Sequence, residues 1–274
     1  MVIATKKISM NSKVSQTKSP EWHEQWSLFQ DHEPWLFEDW IAPIKLEDFK
    51  DKAVLECGCG GGQHTSWVAP LAASITAIDL NTTDIARERN QDFQNITFIE
   101  DDIANMNLNR QFDIVFCIGV IHHTDNPDKT FTNMYHHCKP GGLMIVWTYS
   151  AEGNVLVRWG VEPIRKLLLS RLSRKTLDYL ATIITAGLYP FVYTTYLIPW
   201  LKFLPYYEYF TNFRKLSFRR NVANVFDKLN APQTYFTRYE TCQKWFNTND
   251  FEPDTISIRS YRGVSYSLCG RKKD

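Results

Sequence analysis

The 274-residue sequence has almost no excess of charge of either sign. Its 31 lysines and arginines meet 30 aspartates and glutamates, for a net of +1. A protein that grips nucleic acid through its phosphates needs a basic stripe or patch, so a nucleic-acid partner is not expected. The small cluster Arg271, Lys272 and Lys273 reads as a frayed C-terminus. There is no internal repeat and no low-complexity tract, which sets aside solenoids and disordered linkers. The six cysteines are scattered without a disulfide framework, as expected of free thiols in a reducing compartment, and a cytoplasmic location follows. Residues 1–20, "MVIATKKISMNSKVSQTKSP", lack an apolar segment of signal-peptide length and read as a loose leader. His122, His123, His136 and His137 come in pairs without a carboxylate-rich set or a helical H-x-x-x-H, so no metal site is expected.

Long hydrophobic runs are also scarce. The exception is "LATIITAGLYPFVYTTYLIPWLKFL", residues 180–204, about long enough to cross a bilayer. Pro190, Pro199 and several threonines and tyrosines interrupt it. Two short buried or interfacial helices are expected there, without stable membrane insertion.

Glycine, in contrast, is concentrated. In "VLECGCGGGQHT", residues 54–65, four glycines crowd into five positions after an apolar run that ends in an acid. Backbone this bare is costly to order and suits a place that a ligand must approach closely. Around it, apolar strands alternate with helices. "AVLEC", "SITAIDL", "ITFIED", "FDIVFCIGV" and "LMIVWTYS" read as strands. "HTSWVAPLAA", "TDIARERNQDF" and "NPDKTFTNMYHHC" read as helices, the last capped by Asn126 and closed by "KPGG". Such alternation predicts a parallel sheet with right-handed crossovers. Upstream, "EWHEQWSLFQDHEPWLFEDWIAP" is helical and aromatic, and Pro34 and Pro43 divide and end it. A helix at "RYETCQKWFNTN" and two strands, "DTISIRS" and "GVSYSLCG", turning near Arg262 and Gly263, close the chain.

In an open parallel sheet, ligands sit beyond the carboxyl ends of the strands. A dinucleotide would want a third glycine where Gln63 stands, and its pyrophosphate would meet the Glu56 carboxylate, so a nicotinamide oxidoreductase is disfavoured. A cationic ligand would welcome that acid. Glu56, Gly58, Gly60 and Gly62 match the E/D-x-G-x-G-x-G signature, and with "KPGG" and the order of strands the sequence resembles class I S-adenosylmethionine-dependent methyltransferases over about residues 50–150. The resemblance implies an α/β, doubly wound, Rossmann-like sheet of seven strands in the order 3-2-1-4-5-7-6, mostly parallel with an antiparallel last strand. It divides the chain into residues 21–150, an aromatic N-terminal helix and cofactor core, residues 151–236, a helical cap insertion, and residues 237–274, which complete the sheet.

The resemblance also implies the roles of single residues. Glu56, with the backbone of Cys57, Gly58 and Gly60, lies beside the methionine part of S-adenosylmethionine, the acid acting on the amino group directly or through water. Asp79 accepts both ribose hydroxyls and Leu80 packs on adenine. Asp102 and the Ile103 amide take the adenine edge, and Cys117, Ile118 and Gly119 line the sulfonium side. His123 is the candidate base for methyl transfer to a nitrogen or oxygen of a small-molecule acceptor; the other reading is that it orders the turn before Asn126. Trp22, Trp26, Trp35, Phe37 and Trp40 are candidates for a lid. Trp35, Tyr149, Glu152, Asn154 and Tyr235 are candidates to contact the acceptor. A lipid or quinone acceptor at a membrane surface, or a non-methylating cofactor-binding protein, remain the alternatives.

Overall fold

The structure, a computed structural model, describes residues 20–29, 33–169 and 172–274. The expected leader over 1–20 lies, but for Pro20, outside the described residues. Five strands, β1 (Ala53–Cys57), β2 (Ser74–Asp79), β3 (Ile96–Glu100), β4 (Phe112–Ile118) and β5 (Cys138–Tyr149), pair in parallel. The last two, β6 (Ser257–Tyr261) and β7 (Ser265–Arg271), form a hairpin whose β7 runs antiparallel to β5. The order is β3-β2-β1-β4-β5-β7-β6, as the resemblance implied. Arg262 and Gly263 both adopt positive φ, 51° and 69°, the conformation that a tight two-residue hairpin turn requires.

Both faces of the central strands are apolar because both are covered. Val54, Ile114 and Phe116 enter one core with Phe37, Phe49 and Val68. Their alternate neighbours Leu55, Cys57, Val115 and Cys117 enter the other with Phe131, Met134, Trp245 and Phe251. Burying a side chain such as Leu55 or Phe116 contributes about 1.5–3 kcal/mol, so these strands anchor the fold. The helices around them are α1 (Pro20–Leu28), α2 (Pro34–Ile41), α3 (Gln63–Val68), α4 (Thr83–Arg89) and α5 (Pro127–His137). The Asn126 side chain accepts the Lys129 N–H, the expected cap.

Three expectations need correction. "KPGG" does not separate α5 from its strand, since β5 already starts at Cys138. The register slips between Phe112↔Cys138 and Ile114↔Leu143, so the motif forms a bulge inside the strand. The C-terminus is not frayed: the Lys272 ammonium donates to the carbonyls of Tyr135 and Cys138 at 3.0 and 2.9 Å, and the Lys273 N–H to Asp250 at 3.0 Å. The apolar stretch starts within one long helix, α7 (Arg174–Val192), with Pro190 in its last turn, where the lost N–H removes little helix. Among the described residues no helix is long and apolar enough to cross a membrane.

After β5 come a π-helical turn, Val157–Val161, α6 (Glu162–Leu167), α7, α8 (Tyr207–Phe213) and α9 (Phe218–Asn230), with α10 (Tyr239–Trp245) before the hairpin. They have a core of their own. Leu177, Ala181 and Val192 of α7 pack with Phe210, Phe213, Val222, Phe226 and Leu229, and Phe29 joins from beyond α1. Buried Asn221 locks α9 in place by donating to the Phe213 carbonyl at 2.7 Å and the Tyr189 hydroxyl at 3.0 Å. Asn221→Ala strands that carbonyl and should cost about 1–3 kcal/mol in urea unfolding. A loss within experimental error would show that the helical core does not depend on this bond.

Candidate active site

β1 and β2 end side by side, with Cys57 in register with Ile78. The Ile78 carbonyl then accepts the N–H groups of Gly58 and Cys59 at 2.7 and 2.9 Å, which folds the glycine loop across the end of β2. Gly58 has φ +85°, and a Cβ there would lie 2.5 Å from the Val120 side chain. Gly60 has φ +51°, and a Cβ there would meet the Trp26 ring at 2.6 Å. The missing side chains let β4's exit loop and α1 close against the backbone.

Two acids stand at the strand ends. The Asp79 carboxylate accepts the Gly60 N–H at 2.9 Å and the Leu80 N–H at 2.8 Å. Burial pushes its carboxyl up, and those amides oppose the shift. Glu56 is 1% exposed, and its Oε2 accepts the Thr65 hydroxyl at 2.6 Å. Its Oε1 has no hydrogen-bond partner among the described residues. Burial, with a further push from the Asp79 charge, raises Glu56 to about 8 against the Thr65 bond. His64 Nδ1 lies 3.8 Å from Glu56 Oε1, but burial lowers His64 to about 3, so it brings no charge to the pair.

A single cavity gathers Gly58, Gly60, Asp79, Leu80, Asp102, Ile103, Gly119 and His123 from the ends of β1 to β4. Glu56, Cys57, Cys117 and Ile118 stand behind its wall, all buried. Asp102 also has a local task, because its carboxylate accepts the Ala104 N–H at 2.9 Å and the Asn105 side-chain amide. Of the aromatic lid candidates, Trp22 and Trp26 line the cavity. Phe37 instead stacks on His64 at 4.7 Å in the core, and Trp40 packs on Trp147 at 5.0 Å.

His123 faces the cavity opposite the glycine loop. Its Nδ1 lies 2.8 Å from the Gln233 carbonyl, which can only accept. The proton is therefore on Nδ1 and the lone pair on Nε2. Trp22 packs on the ring at 4.7 Å. Burial lowers the His123 pKa, opposed by the Asp227 charge and the Gln233 bond, so the ring is neutral at neutral pH. Asp227 of α9 lines the same cavity and accepts the Tyr149 hydroxyl at 2.9 Å and the Gln25 amide at 3.3 Å. Burial pushes this carboxyl up, but His123, Lys228, Tyr149 and Gln25 together hold it below the usual carboxylate range.

The expected acceptor contacts are not brought to this cavity. Trp35 packs on the core beneath the Lys215 ammonium, 5.2 Å from its ring. Glu152 accepts the Tyr266 hydroxyl at 2.8 Å and the Tyr239 N–H at 3.1 Å. Tyr235 points outward, 46% exposed. Asn154 donates to the Ser150 and Val264 carbonyls at 2.8 and 2.6 Å. Tyr149 and Asn154 border a second, aromatic chamber behind the Tyr149–Asp227 bond.

Residues 55–146 match a family model described as a methyltransferase domain. The magnesium protoporphyrin IX methyltransferase of Synechocystis, crystallised with bound S-adenosylhomocysteine, shares the fold at a TM-score of 0.51 and 13% identity, covering 93% of this chain and 94% of that one. Residues 55–146 are thus similar in sequence to a methyltransferase domain, set in a fold shared with a methyltransferase that binds S-adenosylhomocysteine. Curated relatives match the methyltransferase domain more closely in sequence. The ubiquinone biosynthesis O-methyltransferase of Rickettsia canadensis is 30% identical over 122 residues, covering 39% of this chain and 52% of that protein. An uncharacterized protein of Synechococcus sp. is 33% identical over 126 residues, covering 42% of this chain and 29% of that protein. The chain thus spans about half, or less, of the length of these relatives.

Gln25, Asp227 and Gln233 were not legible as site residues. "NVFDKLN" reads as an ordinary amphipathic helix, and only the packing of α9 against α1 turns Asp227 inward.

Glu56 should leave a pH signature in the ligand-free protein. Its folded pKa, about 8, is raised above the ordinary 4.5, so the stability tied to its neutral form is complete below 4.5 and is lost as pH rises through 8. Glu56→Gln should therefore gain stability relative to the parent between those pH values, measured by thermal melts across the range. A difference independent of pH would mean that Glu56 is already ionised at neutral pH.

Proposed function

We propose that the protein transfers a methyl group from S-adenosylmethionine to an oxygen or nitrogen of a small acceptor. The observation that carries this reading is the shared cavity. It joins the glycine cradle and Asp79 to a neutral histidine whose free lone pair is on Nε2. The residues fit the cofactor. Gly58 and Gly60 line the cavity with bare backbone, and Glu56 keeps a buried oxygen without a hydrogen-bond partner among the described residues, suited to an ammonium group. Asp79 offers two carboxylate oxygens for the ribose diol, and Asp102 with Ile103 borders the place for adenine. The cofactor supplies an electrophilic methyl on its sulfonium.

The chain's own part is to hold the acceptor in line, exclude water and take a proton. As the acceptor's O–H or N–H bond breaks, the proton passes to His123 Nε2. Asp227 then stabilises the imidazolium across the cavity, with Gln25 and Tyr149 fixing the carboxylate. The helical segment 151–236 serves as the cover, and α1 closes the mouth with Trp22 and Trp26. The name of the Rickettsia relative speaks for oxygen as the acceptor atom. A lipid or quinone acceptor is the second reading, favoured by the apolar outer surface of the cap. All six cysteines are buried and unpaired, which fits the cytoplasm.

His123→Ala should slow single-turnover methyl transfer by about a hundredfold. Affinity for S-adenosylhomocysteine should hold. Because the His123 pKa is lowered, the parent rate should be flat at neutral pH and fall only as pH drops below the ordinary histidine value of 6.5. A folded His123→Ala variant with near-normal rate would leave the residue as the orderer of its turn and the enzyme without a histidine base.

A further inference from the structure

Large apolar side chains are exposed at nineteen positions among the described residues, and fifteen of these fall between Val155 and Phe203. Trp159, Trp200 and Phe203 are each 77% exposed. No side chain of this segment lines the cavity at the glycine loop.

The exposure follows helix geometry. One side of α7 buries Leu177, Ala181, Thr185 and Val192, while Tyr179, Ile183 and Phe191 are left outside. Before it, α6 inverts the usual arrangement. Two of its ions, Glu162 and Arg165, are buried and paired at 2.6 Å, while Ile164 and Leu167 are exposed. Water alone would favour the opposite partition, and so many exposed apolar side chains on one segment mark a contact face.

Charge supplies a second observation. The described residues of 155–203 carry six lysines and arginines against Glu162 and Asp178, a net of +4 in a chain whose total is +1; Arg165 is buried against Glu162 and Arg174 is held by Glu21 and Glu24, while Lys175 and Lys202 are exposed. The rest of the protein is therefore net negative. A second copy offering the same face would set positive charge against positive charge. An anionic bilayer would instead satisfy both the apolar and the basic character. Tryptophan and tyrosine suit its headgroup boundary, and lysine stems can lie along apolar surface while their ammonium groups reach lipid phosphates. Since no described helix is long and apolar enough to cross, the segment would lie on the surface.

We propose that the outer face formed by residues 155–169 and 172–203 docks the protein peripherally on an anionic membrane surface. This inference does not depend on the chemistry at the cavity.

The test is co-sedimentation of the full chain with phosphatidylcholine vesicles, with and without phosphatidylglycerol. Binding should need the anionic lipid and should weaken by about tenfold or more in high salt. The Trp200→Glu/Phe203→Glu double variant should lose binding while keeping its melting temperature, and Lys175→Glu/Lys202→Glu should lose the salt-sensitive part. Failure of the parent to sediment with anionic vesicles, or equal binding to neutral ones, would overturn the proposal. So would a dimer in analytical ultracentrifugation that the tryptophan–phenylalanine variant dissolves, with no vesicle binding, because the face would then be an interface between copies.

Discussion

Two acids without a cation govern this structure. Glu56 and Asp79 stand at the ends of neighbouring strands, both are desolvated, and the Asp79 charge adds to the cost of ionising Glu56. Among the described residues only His64 comes within ion-pair distance of Glu56, and burial keeps it neutral. A fold optimised only for stability would not keep an unpartnered carboxylate oxygen in its interior. The arrangement makes sense when a ligand brings positive charge to the end of β1, as the amino group of S-adenosylmethionine does under the proposed reading.

The rest of the site is organised around closing that charge off from water. α1 reaches several parts of the molecule at once. Trp26 rests over Gly60, Trp22 packs on His123, and Gln25 holds Asp227 and accepts the Asn230 amide at 3.1 Å. Arg174 at the start of α7 binds Glu21 and Glu24 of α1 at 2.6 and 3.2 Å, and His23 reaches Asp84 of α4 at 3.0 Å. The mouth of the cavity, the helical segment after β5 and the β1–β2 side of the sheet are thus coupled through one short helix. Displacing α1 would uncover the mouth and at the same time remove the packing on His123.

Much of the core was legible because its signals are local. Each central strand is an apolar run, the first two end in an acid, and the Arg262–Gly263 pair marks the hairpin. The glycine loop was legible for the same reason: what it needs is absence of a Cβ, and that is written in the sequence. Residues whose role depends on another element were not. Asp227 looks like surface until α9 meets α1, and Glu152, although it follows β5 directly, is turned away by Tyr266. Trp35 and Trp22 belong to the same aromatic stretch, yet one packs against the core and the other faces the cavity. The basic C-terminal residues looked loose because their acceptors, Tyr135 and Cys138, are far away in the chain.

The most direct measurement is calorimetric titration of S-adenosylhomocysteine, which keeps the charged amino group, at pH 7 in buffers of differing ionisation enthalpy. With Glu56 near 8 in the free protein, most molecules hold a proton there, and an arriving ammonium should expel it. The account predicts binding with release of close to one proton per ligand, abolished by Glu56→Gln. Binding without proton release, or release that survives Glu56→Gln, would contradict the claim that the buried acid receives the cofactor's charge.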